Sequence, residues 1–350
     1  MRGVVTKVSN TLYVPAVAQT ALGAAAAALS SGSSASFTTQ SLYTNPDLQW
    51  QSDWWHDTVN GVVHLMGKPA GQDSQWAHQY YRESTDSWVT VAHYLPWTAI
   101  GHIYGNSAIK TADGTFYQSR NDIDTAPAKI QRYRYGTGWD SVPTGAGDMG
   151  AGQTLVAVAN GLAYHPNLYG AGDGGLILDT QFRTCFWRES NNATEQVSHS
   201  DSLYGNQYGI GVYWPAKDLC VIGGSDQKPG AGHLMLVTAN GGSTPTITDA
   251  GTPPIEVAGD TDSRGSGVFG SLHVHPGNAN KLLLLDTVGT NYWEGTLSGS
   301  TFIWTFKGSH PFTHQPHVVC SLRNNYGCLW MICCDEVSDT NYSTLWKPPA

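Results

Sequence analysis

HDTVNGVVHLMGKPAGQDSQWAHQYYRESTDSWVTV, residues 56–91, reads as a strand, an Asn-Gly turn and a strongly apolar second strand, followed by two more strands, the last with Trp88. The phrase returns five times in outline. Its core strand pairs are WWHDTVNGVVHLMG (54–67), SAIKTADGTFYQS (107–119), LAYHPNLYGAGDGGLILD (162–179), IGVYWPAKDLCVIGG (210–224), SLHVHPGNANKLLLLD (271–286) and VVCSLRNNYGCLWMICC (318–334). Their starts differ by 53, 55, 48, 61 and 47 residues, a period near 50. Trp88, Trp139, Trp304 and Trp346 recur toward the ends of units.

A four-stranded unit of this size cannot cover both faces of its own sheet, so like units must pack face to face around an axis. The sequence therefore predicts an all-β fold, a six-bladed β-propeller with four-stranded blades over residues 46–350 and an extended N-terminal arm over 1–45. The middle strands VVHLM, GLILD, DLCVIG, KLLLLD and CLWMICC are expected near the axis with both faces covered. The alternating segment SFTTQSLYT, at about 36–44, is expected to complete the sixth blade and close the ring, because an open edge there would invite pairing with other chains. A β-sandwich fits the composition but not the 50-residue rhythm.

The arm is low in charge and rich in Ala and Ser. ALGAAAAAL suggests a short helix at 21–29 behind Thr20, marginal in water by itself, so the arm is expected to be held from outside the domain. Arg2 and Lys7 ahead of small residues resemble a leader, yet Pro15, Gln19 and Thr20 interrupt it, and the segment is expected to be retained.

Composition supports the same class: 40 Gly, 13 Trp and 17 Tyr, with 13% charged residues. The net charge of -9 and the absence of a basic stripe argue against direct nucleic-acid binding. No apolar run is long enough for a membrane span. The six cysteines have no metal-ligand spacing and are expected to be buried free thiols.

GKPAGQDSQWAHQYYRESTDSW, with a glycine-bearing turn before Tyr81 and Trp88, is similar to a unit of kelch and galactose-oxidase-like propellers. The copper chemistry that this likeness implies would need a cysteine before the Tyr164-His165 doublet, and the chain has none there. The uncharged arm, the few charges and the lack of an enzyme signature together resemble structural proteins of tailed bacteriophages, found in tail hubs, nozzles and fibres. That resemblance implies a non-enzymatic virion structural protein, located in the virion, a homo-oligomer within a larger assembly of virion proteins. The alternative it leaves is a propeller binding a host-surface glycan or receptor.

Among local motifs, TANGGSTP (238–245) is a degraded Asp box and GDTDSRG (259–265) an incomplete calcium loop; both read as turns. No nucleophile elbow or phosphate loop occurs, so no catalytic residue is assigned and no cofactor is expected. The aromatics Trp76, Tyr80, Tyr94 and Trp97 crowd the first unit and its exit, and are the candidates for stacking on sugar rings or anchoring a partner. His273 and His275 alternate on one strand and, with His314, form the candidate metal set, against which stands simple hydrogen bonding to loop backbone.

Overall fold

The computed structural model describes residues 20–39, 46–47, 53–69, 77–92, 107–120, 129–142, 161–179, 183–198, 208–225, 233–255, 270–286, 289–312, 317–322, 326–335 and 340–350. The chain enters through α1 (Ala21–Ala28), β1 (Ser34–Ser36) and β2 (Pro46–Asp47). Blade I follows as β3 (Asp53–Asp57), β4 (Val62–Pro69), β5 (Ala77–Arg82) and β6 (Ser87–Ala92), with β2 paired to the far end of β4. Blade II is β7 (Ser107–Lys110), β8 (Thr115–Arg120), β9 (Lys129–Arg134) and β10 (Gly138–Ser141). Blade III is β11 (Gly161–His165), β12 (Gly175–Asp179), β13 (Arg183–Arg188) and β14 (Thr194–Ser198). Blade IV is β15 (Tyr208–Trp214), β16 (Leu219–Ser225), β17 (His233–Asn240) and β18 (Ser243–Asp249). Blade V is β19 (Gly270–Val274), β20 (Leu282–Asp286), β21 (Asn291–Ser298) and β22 (Thr301–Ser309). Blade VI is β23 (His317–Ser321), β24 (Leu329–Asp335) and β25 (Thr340–Trp346), with β1 as its fourth strand. Every pairing is antiparallel, and the six-bladed propeller of four-stranded sheets is as the period requires.

The first strands of successive blades lie side by side round the ring, β3 beside β7, β7 beside β11, and so on to β23 beside β3. This corrects the expectation that the apolar middle strands line the axis. Those strands stand second in their blades. They read as unbroken apolar runs because both faces are covered by neighbouring blades: GLILD of β12 and LLLLD of β20 are buried at every residue. The inner strands approach so tightly at β11 and β15 that only glycine fits at Gly161 and Gly211.

One hydrophobic cluster fills each junction. Met66, Phe116 and Tyr133 join blades I and II, Tyr117, Leu162 and Trp187 join II and III, and Ile177, Phe186 and Ile222 join III and IV. Trp214, Leu236 and Leu284 join IV and V, and Leu285, Val319 and Met331 join V and VI. The last junction closes blade VI onto blade I through Trp54, Tyr81 and Trp330, with Leu22, Ala26 and Leu29 of the helix and Phe37 packed into it.

The ring-closing strand is Ser34–Ser36, with Ser34 opposite Trp346 and Ser36 opposite Thr344. It overlaps the 36–44 segment read from the sequence at Ser36, and the Phe37 amide also reaches the Ser343 carbonyl; residues 40–44 of that segment fall outside the described residues. Thr20 caps the helix by accepting from the Gly23 amide at 3.1 Å. Leu22 and Ala26, one turn apart, are fully buried, so residues 20–39 are held by the propeller itself rather than from outside. Packing supplies what an eight-residue alanine helix lacks alone. Cys185, Cys220, Cys320 and Cys328 are buried free thiols. No helix among the described residues is long and apolar enough to cross a membrane.

Candidate functional site

The two ends of the ring differ. At one end the first strand of each blade turns into the second, and the third into the fourth, mostly through short turns such as 58–61, 83–86, 111–114, 135–137 and 241–242. The other strand ends are joined by longer stretches of chain, among them 93–106, 142–160 and 250–269 between blades and 70–76, 121–128 and 226–232 within them, nearly all outside the described residues. These connections contain Asp73, Asp122, Asp124, Asp148, Asp201, Asp226, Glu256, Asp260, Asp262, Glu336 and Asp339, together with Trp76, Tyr94 and Trp97.

At the short-turn end several histidines and acids are already engaged. His165 Nδ1 accepts from the Asn167 amide at 3.0 Å, and its Nε2 donates to the Asp218 carbonyl of the next blade at 2.9 Å. His275 repeats the device: Nδ1 accepts from the Gly277 amide at 3.0 Å and Nε2 donates to the Pro349 carbonyl at 3.1 Å. An amide partner on Nδ1 and a carbonyl on Nε2 together fix the neutral tautomer. Burial holds both imidazoles below their ordinary pKa, in keeping with that form.

The acids at this end are engaged in the same way. Asp57 accepts from the Val59 and Asn60 amides at 3.0 and 3.1 Å and seats against Gly114, where a Cβ would lie 2.3 Å from its carboxylate. Burial works against its charge, but the neighbouring His64 imidazole and the bonds from Asn60 outweigh it and keep its pKa low. Glu189 accepts from Tyr164 at 2.6 Å and from Lys110 of the preceding blade at 2.8 Å.

The ring-closing junction carries the densest polar group. The Glu83 carboxylate pairs with His56 Nε2 at 2.9 Å, accepts from the Tyr326 hydroxyl of blade VI, and lies 3.4 Å from the hydroxyl of the helix-capping Thr20. The His56 and Tyr326 rings stack at 5.7 Å. Burial raises the Glu83 pKa, and the three hydrogen bonds more than reverse this. Between blades I and II, His64 Nδ1 and His78 Nε2 are 3.0 Å apart, fully buried among Phe116, Tyr133 and Trp139. His64 Nε2 stands 3.5 Å from Asp57 Oδ2 without a hydrogen-bonding angle to it. Desolvation lowers both imidazole pKa values.

Of the residues singled out from sequence, Trp76, Tyr94, Trp97 and His314 lie outside the described residues. Tyr80 is buried in β5, its ring against Tyr135 and its hydroxyl accepting from Arg82 at 3.0 Å. His273 is half-buried and pairs with Ser271 Oγ. Both nitrogens of His275 serve backbone groups, which leaves it no lone pair for a metal. Among the described residues no three His, Cys, Asp or Glu side chains gather as a metal centre. Sequence reasoning missed the polar clamps. A signal existed in the repeated Arg82-Glu83-Ser84 and Arg188-Glu189-Ser190, each just past a third strand.

No protein-family model and no curated protein matches the chain. Among solved structures it is similar to the GH93 α-L-arabinofuranosidase of Fusarium graminearum in complex with arabinobiose, with TM-score 0.52 and 10% identity over 89% of this chain and 98% of that one. A mutant of that enzyme with an iminosugar inhibitor gives TM-score 0.51 at the same identity and coverage. A triple arginine-to-alanine mutant of AofleA from Arthrobotrys oligospora gives TM-score 0.55 and 8% identity over 92% of this chain and 88% of that one. Likeness at these identities carries the fold.

It nevertheless overturns two expectations. The arabinofuranosidase that shares this ring is a glycosidase, so the non-enzymatic virion structural protein is withdrawn, and with it the expectation that the protein is not an enzyme. The physical reason is plain: glycine turns, apolar strands and few charges are what any closed propeller requires. The six-bladed ring of the kelch likeness is present, while no family model matches the chain.

Proposed function

We propose that this is a carbohydrate-active propeller that hydrolyses glycosidic bonds at the end of the ring carrying the long connections. The observation behind the reading is the one-sided chemistry of the strand ends. At the short-turn end the carboxylates of Asp57, Glu83 and Glu189 already hold amides, hydroxyls or cations, whereas the sequence of the longer connections carries eleven Asp and Glu residues and three candidate stacking aromatics. Glycoside hydrolysis needs two carboxyl groups across the scissile bond, one as acid and one as nucleophile or base. Flat aromatic rings hold the apolar faces of sugars beside them. The fold likeness to arabinofuranosidase propellers supports the same reading.

The test is turnover of a panel of arabinans, other polysaccharides and aryl glycosides, followed by Asp→Asn and Glu→Gln changes through the connections. Release of reducing sugar, abolished by one or two of these changes with an unaltered melting temperature, is the expected result. Wild-type protein that neither cleaves nor binds any member of the panel sinks the proposal. Binding without cleavage removes the hydrolase and leaves a glycan-binding protein, in which Trp76→Ala and Trp97→Ala lower affinity.

A further inference from the structure

Three consecutive blades end their third strand on arginine: Arg82, Arg134 and Arg188. Two of the three have a carboxylate. Arg188 Nε donates to Asp173 Oδ2 at 2.7 Å, with its guanidinium 4.9 Å from the Tyr169 ring centroid. Arg134 Nη1 lies 3.5 Å from Asp140 Oδ2. Arg82 has none among the described residues. Its Nη2 donates to the Tyr80 hydroxyl at 3.0 Å, its guanidinium carbon stands 5.7 Å from the Tyr80 ring, and the Tyr135 ring of blade II lies 5.6 Å from that of Tyr80.

The acids of the surrounding turns are committed elsewhere. Asp57 holds the Val59 and Asn60 amides, Glu83 holds His56 and Tyr326, and Asp86 accepts from Tyr81 at 2.6 Å. A hydroxyl that accepts from a guanidinium must aim its own proton away from it. The Tyr80 hydroxyl therefore adds an O–H donor to the N–H groups of Arg82, with the Tyr135 phenol beside it, in a group that contains no anion among the described residues. Arg82 and Tyr135 are half-buried and open the cluster to solvent.

The geometry points to an anion site at the junction of blades I and II, on the short-turn end, formed by Arg82, Tyr80 and Tyr135 and suited to the carboxylate of an acidic sugar. The planar guanidinium fork matches a carboxylate, which takes two parallel N–H bonds, and the phenols donate to its remaining lone pairs. Identifying the carrier as a sugar rests on the carbohydrate reading above; the need for an anion does not. With a net charge of -9 the whole molecule repels anions, so affinity has to come from these local donors.

The experiment titrates full-length protein with glucuronate, glucose and inorganic sulfate at low salt, followed by NMR or calorimetry. Glucuronate is expected to bind at least tenfold more tightly than glucose. Arg82→Gln removes that preference, Arg82→Lys restores only a small part of it because the fork is lost, and Tyr135→Phe weakens it a few-fold. Arg188→Gln, at the equivalent but occupied position, leaves it unchanged. Equal binding of glucuronate and glucose, or an undiminished preference in Arg82→Gln with native melting, overturns the site; sulfate binding as tightly as glucuronate overturns its assignment to acidic sugars. Polysaccharide turnover measured on Arg82→Gln separates this outcome from failure of the hydrolase reading, since Arg82 is not among the residues on which that reading rests.

Discussion

Gly161 of β11 faces Ile210 of β15 so closely that a Cβ on Gly161 would sit 2.3 Å from the Ile210 carbonyl oxygen, and Gly211 answers with 2.4 Å to the carbonyl oxygen of Leu162. Two inner strands thus meet backbone to backbone at the axis, and neither obstacle is a side chain that can swing away. Gly161→Ala is expected to destabilise the fold by about 3 kcal/mol, at the upper end of overpacking costs, because relief requires moving two blades apart. The urea midpoint measures it; a shift worth under about 0.5 kcal/mol, the ordinary surface range, would show that the strands can part freely.

The helix is a wedge in the ring-closing junction. Leu22 is fully buried against the cluster that contains Trp54 and Trp330, whose rings are 4.7 Å apart. Leu22→Ala should cost about 2–5 kcal/mol, and Thr20→Ala about 1 kcal/mol through loss of the cap. Thermal unfolding of the two variants checks the order. A Leu22→Ala protein that melts with wild type would mean that the ring closes without its wedge.

The buried pair of His64 and His78 makes stability depend on pH. Their folded pKa values are lowered from the ordinary 6.5, so below about pH 6.5 the unfolded chain takes up protons that the folded one refuses. Stability is therefore full above that pH and falls as the pH drops, by up to about 1.4 kcal/mol per unit for each imidazole until its folded pKa is reached. Around the pair stand Asp57, the phenols of Tyr80 and Tyr133, and the aromatic rings of Phe116 and Trp139. Asp57 partly opposes the shift on His64. His165, His275 and His310 are shifted in the same direction and add to the slope. The double variant His64→Leu/His78→Leu is expected to flatten the denaturation midpoint between pH 6.5 and 5 without levelling it; an unchanged slope would clear the pair of this role.

The blade count and strand order were legible because a sheet covered on both faces writes itself as an unbroken apolar run, as in Leu282–Leu285, and five such runs, with a sixth strand pair at 107–119, recur near one spacing. The same runs misled on position. Coverage by two neighbouring blades and proximity to the axis give identical patterns, and the inner strands, with Gly161 and Gly211, are less apolar because their backbones pack so closely. The repeated Arg-Glu-Ser marked the clamps but not their partners, since Glu83, His56 and Tyr326 are far apart in sequence and meet only when the ring closes. His273 and His275 looked like ligands because strand alternation puts them on one face, but a histidine just before a Pro-containing turn, as at 165 and 275, is a backbone cap.

Glu83 ties blade I, blade VI and the helix cap through a carboxylate whose pKa is depressed below the ordinary 4.5. A depressed carboxyl contributes stability that is fully present above the unfolded value and is lost as the pH falls through the folded one. Glu83→Gln keeps the shape but weakens the charge-assisted bonds, so it should cost about 1.5–3 kcal/mol at pH 7. The same comparison well below pH 4.5 should show a smaller difference, because protonation of Glu83 then removes the charge from the wild type as well. Chemical denaturation of both proteins at pH 7 and pH 3 reads the two gaps. Equal gaps would mean that the shape of the side chain, rather than its charge, holds the two ends of the chain together.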